Sequence, residues 1–166
     1  MSEAMQVEHA GHVVERVASE LDGLTIERIV GGESVPMRRS SVPGSLFPMN
    51  VQPWEHLQFS VNSPGSTWGE VEGGGRRRNG GTVRTTVEVR WLYGLRPEHA
   101  VEDHERAIGE IERRIVRTLV DNLQALRLTV LSVDRLEDPG LVTDGELSGL
   151  WMLGIVRLRA DHRYLL

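Results

Sequence analysis

The stretch Thr82-Val83-Arg84-Thr85-Thr86-Val87-Glu88-Val89-Arg90-Trp91-Leu92 decides how the rest of the chain folds. Val83, Thr85, Val87, Val89 and Trp91 alternate with Arg84, Thr86, Glu88, Arg90 and Leu92, the two-residue period of a half-buried strand. After Tyr93-Gly94-Leu95-Arg96-Pro97 the period changes. Val101, His104, Ile108, Ile111, Ile115, Leu119 and Leu123 recur every three or four residues and predict a helix over 100–123 with one apolar side. Leu128, Val130 and Ser132 then alternate with Thr129, Leu131 and Val133, a second strand that Asp134 is expected to end.

Upstream, Val7, Ala10, Val13, Val14, Val17 and Leu21 share a helical stripe, so residues 5–22 read as a first helix, with Gly23 in the place of a left-handed cap. Thr25 to Val30 reads as a short strand. Residues 33–54 carry Pro36, Pro43, Pro48 and Pro53, each lacking a backbone donor, and read as an extended arm. Leu57, Phe59 and Val61 alternate with His56, Gln58 and Ser60 in a strand that Asn62-Ser63-Pro64-Gly65 is expected to terminate. The following glycine-rich run holds Arg76-Arg77-Arg78 and little apolar surface. Residues 62–81 are therefore expected to form a flexible tip between two antiparallel strands.

Near the carboxy end, Glu137-Asp138-Pro139-Gly140 and Thr143-Asp144-Gly145 are turn formers. In the last strand Trp151, Leu153 and Ile155 oppose Met152, Gly154 and Val156, so both faces of its first half should be buried. Arg157, Arg159, Asp161 and Arg163 then mark a face that meets water or a partner. The order predicts one α+β domain over residues 1–166: a mixed, roughly four-stranded sheet with two main helices mainly on one face.

Composition narrows the chemistry. The 166 residues contain no cysteine, and all 19 basic residues are arginine. Disulfides, thiol nucleophiles, cysteine zinc sites, Schiff-base lysines and the lysine of a phosphate-binding loop are thereby excluded. A net charge of −5 disfavours general nucleic-acid binding. No apolar run has the length of a membrane span, and Met1 to Gln6 lacks a signal-peptide pattern, so a cytoplasmic site of synthesis and no membrane partner are expected. The glycines of residues 65–81 lead into a strand rather than a helix, which argues against a nucleotide loop. His9 and His12 lie three apart without a nearby third ligand. His99 and His104 sit among Glu98, Glu102, Asp103 and Glu105, but sequence neighbours on a helix point in different directions. No catalytic, metal or cofactor set emerges. On the long helix, Glu102 with Arg106 and Glu110 with Arg114 are spaced for ion pairs.

The run Thr82 to Trp91 leading into the helix Ala100 to Leu123, with the closing strand Gly149-Leu150-Trp151-Met152-Leu153-Gly154-Ile155-Val156-Arg157-Leu158, resembles the tail terminator, or tail-completion, proteins of long-tailed bacteriophages and related tail-like particles. The resemblance covers most of the chain and rests on element order, since the family has no signature motif. The proline-bearing arm and the Gly73 to Gly81 tip are longer than a minimal terminator requires. The resemblance implies a non-enzymatic virion protein of the tail neck, assembled in the host cytoplasm. It implies a homo-oligomeric ring, a hexamer in the family's manner, that caps the tail tube protein, stops polymerisation and meets the head-tail connector or stopper, with DNA only passing through its lumen. On that view Arg76, Arg77, Arg78 and Arg84 are the expected docking contacts with tube or connector, and Phe47, Trp54 and Tyr164 the expected subunit contacts. Two alternatives stand beside it: another neck component such as an adaptor or stopper, and a small α+β enzyme using His99 or His104 with a carboxylate.

Overall fold

The computed structural model describes residues 10–27, 34–40, 57–72, 80–95, 101–122, 129–142 and 150–164. Two helices, α1 (Ala10–Leu21) and α2 (Val101–Asp121), accompany seven strands: β1 (Thr25–Glu27), β2 (Ser34–Pro36), β3 (Arg38–Arg39), β4 (Leu57–Glu72), β5 (Gly80–Leu95), β6 (Thr129–Val142) and β7 (Leu150–Tyr164). β1 and β2 form a small antiparallel pair, and the other five make one mixed sheet in the order β3-β4-β5-β7-β6. The α+β class is as the sequence indicated, with a sheet one strand larger because β3 adds a short parallel edge, Arg38 opposite Gln58 and Arg39 opposite Phe59.

The centre of the sheet is regular and its flanks are not. β5 and β7 pair without a shift from Gly81↔Tyr164 to Leu95↔Leu150. Because β6 is also antiparallel to β7, β5 and β6 run parallel, and α2 is the crossover that carries the chain past β7. The odd-numbered residues of β5 face the helices. Val87, Val89, Trp91 and Tyr93 join Leu57 and Phe59 of β4 and Val156, Leu158 and Ala160 of β7 in one core. Onto it α1 presses Val13, Val17, Ala18 and Leu21, and α2 presses Ala107, Ile111, Ile115 and Leu119, each set repeating at helical spacing. Glycine has one clear steric duty here. Trp91 lies across Gly154, where a Cβ would come within 2.1 Å of the indole.

Three expectations are corrected. Asn62-Ser63-Pro64-Gly65 does not end β4. Asn62 pairs with Glu88 and Gly65 with Thr86, so three steps on β4 match two on β5 in a bulge, and Ser63 Oγ donates to the Thr86 carbonyl at 2.7 Å. Residues 62–72, 80 and 81 are therefore strand, and the remainder of the tip expected over 62–81 lies outside the described residues. Likewise β6 continues past Asp134 through Glu137-Asp138-Pro139-Gly140, absorbing the extra residues in register shifts. Proline is tolerated at an edge strand or bulge, where its missing N–H removes no ladder bond.

The arm expected over 33–54 begins as structure as well. Met37 is fully buried, and its amide donates to the Leu24 carbonyl at 2.8 Å while its carbonyl accepts from Gly23 at 2.9 Å. Gly23 holds φ 81°, the left-handed conformation expected of a helix-ending glycine. These contacts fasten β2 and β3 beside the end of α1, and Arg39 seals the join with two hydrogen bonds to Glu15, at 2.9 and 2.7 Å.

Candidate interaction surface

The face of the sheet turned away from the helices is built from the other parity of the same strands. At one end it is covered: Leu92 and Trp151 are buried there, as the sequence of β7 suggested. Towards the other end it becomes polar. Arg84, Thr86, Glu88 and Arg90 of β5 lie opposite Asp161, Arg159, Arg157 and Ile155 of β7. Directly opposed residues on one face of a sheet touch, and here they form ion pairs. Arg84 Nε donates to Asp161 Oδ1 at 3.0 Å, and Arg157 Nη2 donates to Glu88 Oε1 at 2.9 Å, with Arg90 Nη2 3.6 Å from the other Glu88 oxygen.

The burial within this strip is asymmetric. The Glu88 side chain is 7% exposed and Asp161 24%, whereas Arg84 is 57% and Arg90 47% exposed. The carboxylates lie at the base of the strip and the guanidinium groups stand out from it. Arg159 is exposed between Thr86 and Ser132 and holds no ion pair among the described residues. Sequence reasoning singled out Arg84 but not its partner Asp161, nor the Glu88–Arg157 pair beside it, because the strand periods placed these residues on outward positions without saying which of them face each other. Only the β5–β7 register supplies that.

Of the other expected contacts, Tyr164 ends β7 opposite Gly81. Arg76, Arg77, Arg78, Phe47 and Trp54 lie outside the described residues, as do His9, His99 and the turn Thr143-Asp144-Gly145. His104 is half-buried on α2. Glu110 pairs with Arg113 rather than Arg114, accepting at 2.9 and 2.7 Å, and those bonds hold its carboxyl below the usual carboxylate range. The expected pair one residue further on gives way to a forked pair three apart, since the guanidinium then meets both carboxylate oxygens.

Elsewhere, a cleft of about 350 Å³ is lined by Thr25, Glu110, Arg113 and Arg114. Thr85 Oγ1 and His162 Nε2 share a buried hydrogen bond of 2.8 Å on the helical face of the sheet. Among the described residues, no three histidine or carboxylate side chains gather as a metal site, and no helix is long and apolar enough to cross a membrane. The open face thus offers a strip of paired and exposed charge. No family model and no curated protein sequence matches the chain.

Proposed function

We propose that this chain is a structural protein of a phage or phage-like tail, forming a ring that caps the tail tube, halts its polymerisation and offers a surface to the head-tail connector. The β4–β5 hairpin is the observation that carries the reading. Each arm is 16 residues long, about 50 Å at roughly 3.3 Å per residue. The core takes Leu57 and Phe59 of β4 and Val87, Val89, Trp91 and Tyr93 of β5, Val83 and Thr85 are buried further along, and β7 pairs with β5 as far as Gly81↔Tyr164. Past the bulge at Asn62 to Gly65, where the β4 side chains turn exposed or half-exposed, the ladder continues to Glu72↔Gly80. The chain between those two residues contains Arg76, Arg77 and Arg78. A long hairpin held rigid by β7 along its β5 arm, with three adjacent cations in the chain beyond its last pair, suits a device that presents them to a neighbouring ring of another protein and pairs with its carboxylates.

Element order supports the same reading, through the resemblance to tail terminators. In this scheme the partners are further copies of the chain, the tube protein and the connector or stopper, and DNA passes through the lumen. The site of action is the neck of the virion tail.

Co-sedimentation with preassembled tubes of the cognate tail tube protein tests the docking role. The Arg76→Ala, Arg77→Ala, Arg78→Ala triple variant should keep the wild-type circular dichroism spectrum and melting midpoint while binding tubes at least about tenfold more weakly, the scale of a lost cluster of charge contacts. Undiminished binding would remove the hairpin tip from the docking surface.

A further inference from the structure

We propose that the arginine strip on the open face of the sheet receives the acidic start of α2 from a second copy of this chain, so that copies associate head to tail. Two surfaces of opposite sign on opposite sides of one subunit carry the inference. On the open face Arg84, Arg90 and Arg159 stand exposed above the less exposed Asp161 and Glu88, and Asp134 is the exposed carboxylate opposite Arg157, so three exposed arginines outnumber one exposed acid. On the helical side the first turns of α2 carry Glu102, Asp103 and Glu105 against Arg106. Glu102 and Glu105 are exposed and hold no ion pair among the described residues, whereas Glu110, further along the helix, is already taken by Arg113.

The two surfaces cannot meet within one molecule, because the sheet and its core lie between them. A contact that joins one to the other is heterologous, and such contacts close into rings when the rotation between neighbours permits. Nucleic acid is the other occupant that an arginine strip suggests. It would use only one of the two surfaces, and the chain's net charge of −5 opposes a polyanion at longer range. A second copy uses both. The inference deepens the proposed function and rests on it for closure of the ring; the pairing of the two surfaces stands on the charge distribution alone.

Sedimentation velocity over a concentration series tests it with four forms of the full chain: wild type, Arg90→Glu with Arg159→Glu, Glu102→Arg with Glu105→Arg, and the combination of all four. Wild type should self-associate at about 0.05 M salt and do so more weakly at about 1 M, where the screening length falls to about 3 Å. Either reversal should weaken association at least about tenfold, and the combination should recover most of the loss, because like charges set against each other become opposite charges again. All the altered residues are exposed, and thermal melts followed by circular dichroism check each fold. Should the arginine pair prove needed for folding, the helix pair alone still decides, since its reversal must weaken association.

A wild type that stays monomeric at both salts, or a combination no stronger than the separate reversals, overturns the proposal. So does tight binding of fluorescent duplex DNA that the arginine reversal abolishes while self-association is unchanged. Capping of tubes by a protein that never self-associates through these surfaces would sink this inference and leave the proposed function standing. Self-association that follows the charge swap, with no effect on tubes, would do the reverse.

Discussion

On the helical side of the sheet Val87, Val89 and Trp91 of β5 are packed by α1 and α2. One residue out of phase on the same strand, Arg84, Glu88 and Arg90 stand in a strip of ion pairs with β7. The backbone is common to both faces, so the contrast isolates what the side chains do. Burial of large apolar groups gives the first face its share of the stability, at about 25 cal/mol for each Å² removed from water. The second face returns much of its Coulomb energy to desolvation and screening. Substitutions on the first face should unfold the protein, and those on the second should change what it binds.

That division can be broken or sharpened in order of expected effect. Trp91→Ala should cost about 3–5 kcal/mol, measured by urea denaturation, because it empties the place where the indole crosses β7. Gly154→Ala attacks the same contact from the other side and should cost about 3 kcal/mol. Its cost should fall below about 1 kcal/mol in a Trp91→Leu background, since residues in contact are not additive. Equal costs in both backgrounds would mean that the indole is not what Gly154 accommodates.

Glu88→Gln is the largest effect expected on the other face, about 1–2 kcal/mol by the same measurement. It replaces the ion pair with Arg157 by a hydrogen bond to an uncharged amide and leaves the guanidinium uncompensated at a nearly buried position. A loss as large as that of Trp91→Ala would erase the contrast between the faces.

The smallest effect is pH-dependent and lies at the join of α1 with β3. Arg39's hydrogen bonds hold the Glu15 carboxyl below its usual range, with the nearby positive charge contributing less. A depressed folded pKa means that the pair contributes above the ordinary carboxylate value and stops contributing as pH falls through the lower folded one. The pair is largely exposed, so the difference between wild type and Glu15→Gln should be at most about 0.5 kcal/mol near neutrality and vanish in acid. Melting midpoints across that range would detect it.

Where local periodicity met a buried surface, the sequence was enough to place β5, α2 and β7, because alternation and helical stripes report directly on which side chains face a core. The first helix and the clustering of both helices on one face followed from the same signal. The long flanking strands were hidden by their own turn chemistry. Asn62-Ser63-Pro64-Gly65 and Glu137-Asp138-Pro139-Gly140 are good local turns, yet β5 and β7 continue alongside them, and a bulge in the flanking strand is the outcome when the partner's ladder outweighs the local preference. β2 and β3 escaped for a related reason. Nothing in Ser34 to Arg39 repeats, and its order comes from distant partners, Thr25 to Glu27 on one side and Gln58 with Phe59 on the other.

At the candidate site, Arg84 was legible as an outward arginine, while its pairing with Asp161 needed the register. Arg159 shows the same limit. Its parity was legible, but its position between Thr86 and Ser132, without an ion pair among the described residues, is a property of three strands together.

Negative-stain electron microscopy of this protein mixed with the polymerising tail tube protein that the proposal assigns to it tests the proposed function most directly, with tube length and tube ends scored in each field. Tubes should be shorter than in the absence of the protein and carry a ring at one end. Tubes of unaltered length with bare ends, formed beside folded protein, would contradict the tail terminator reading.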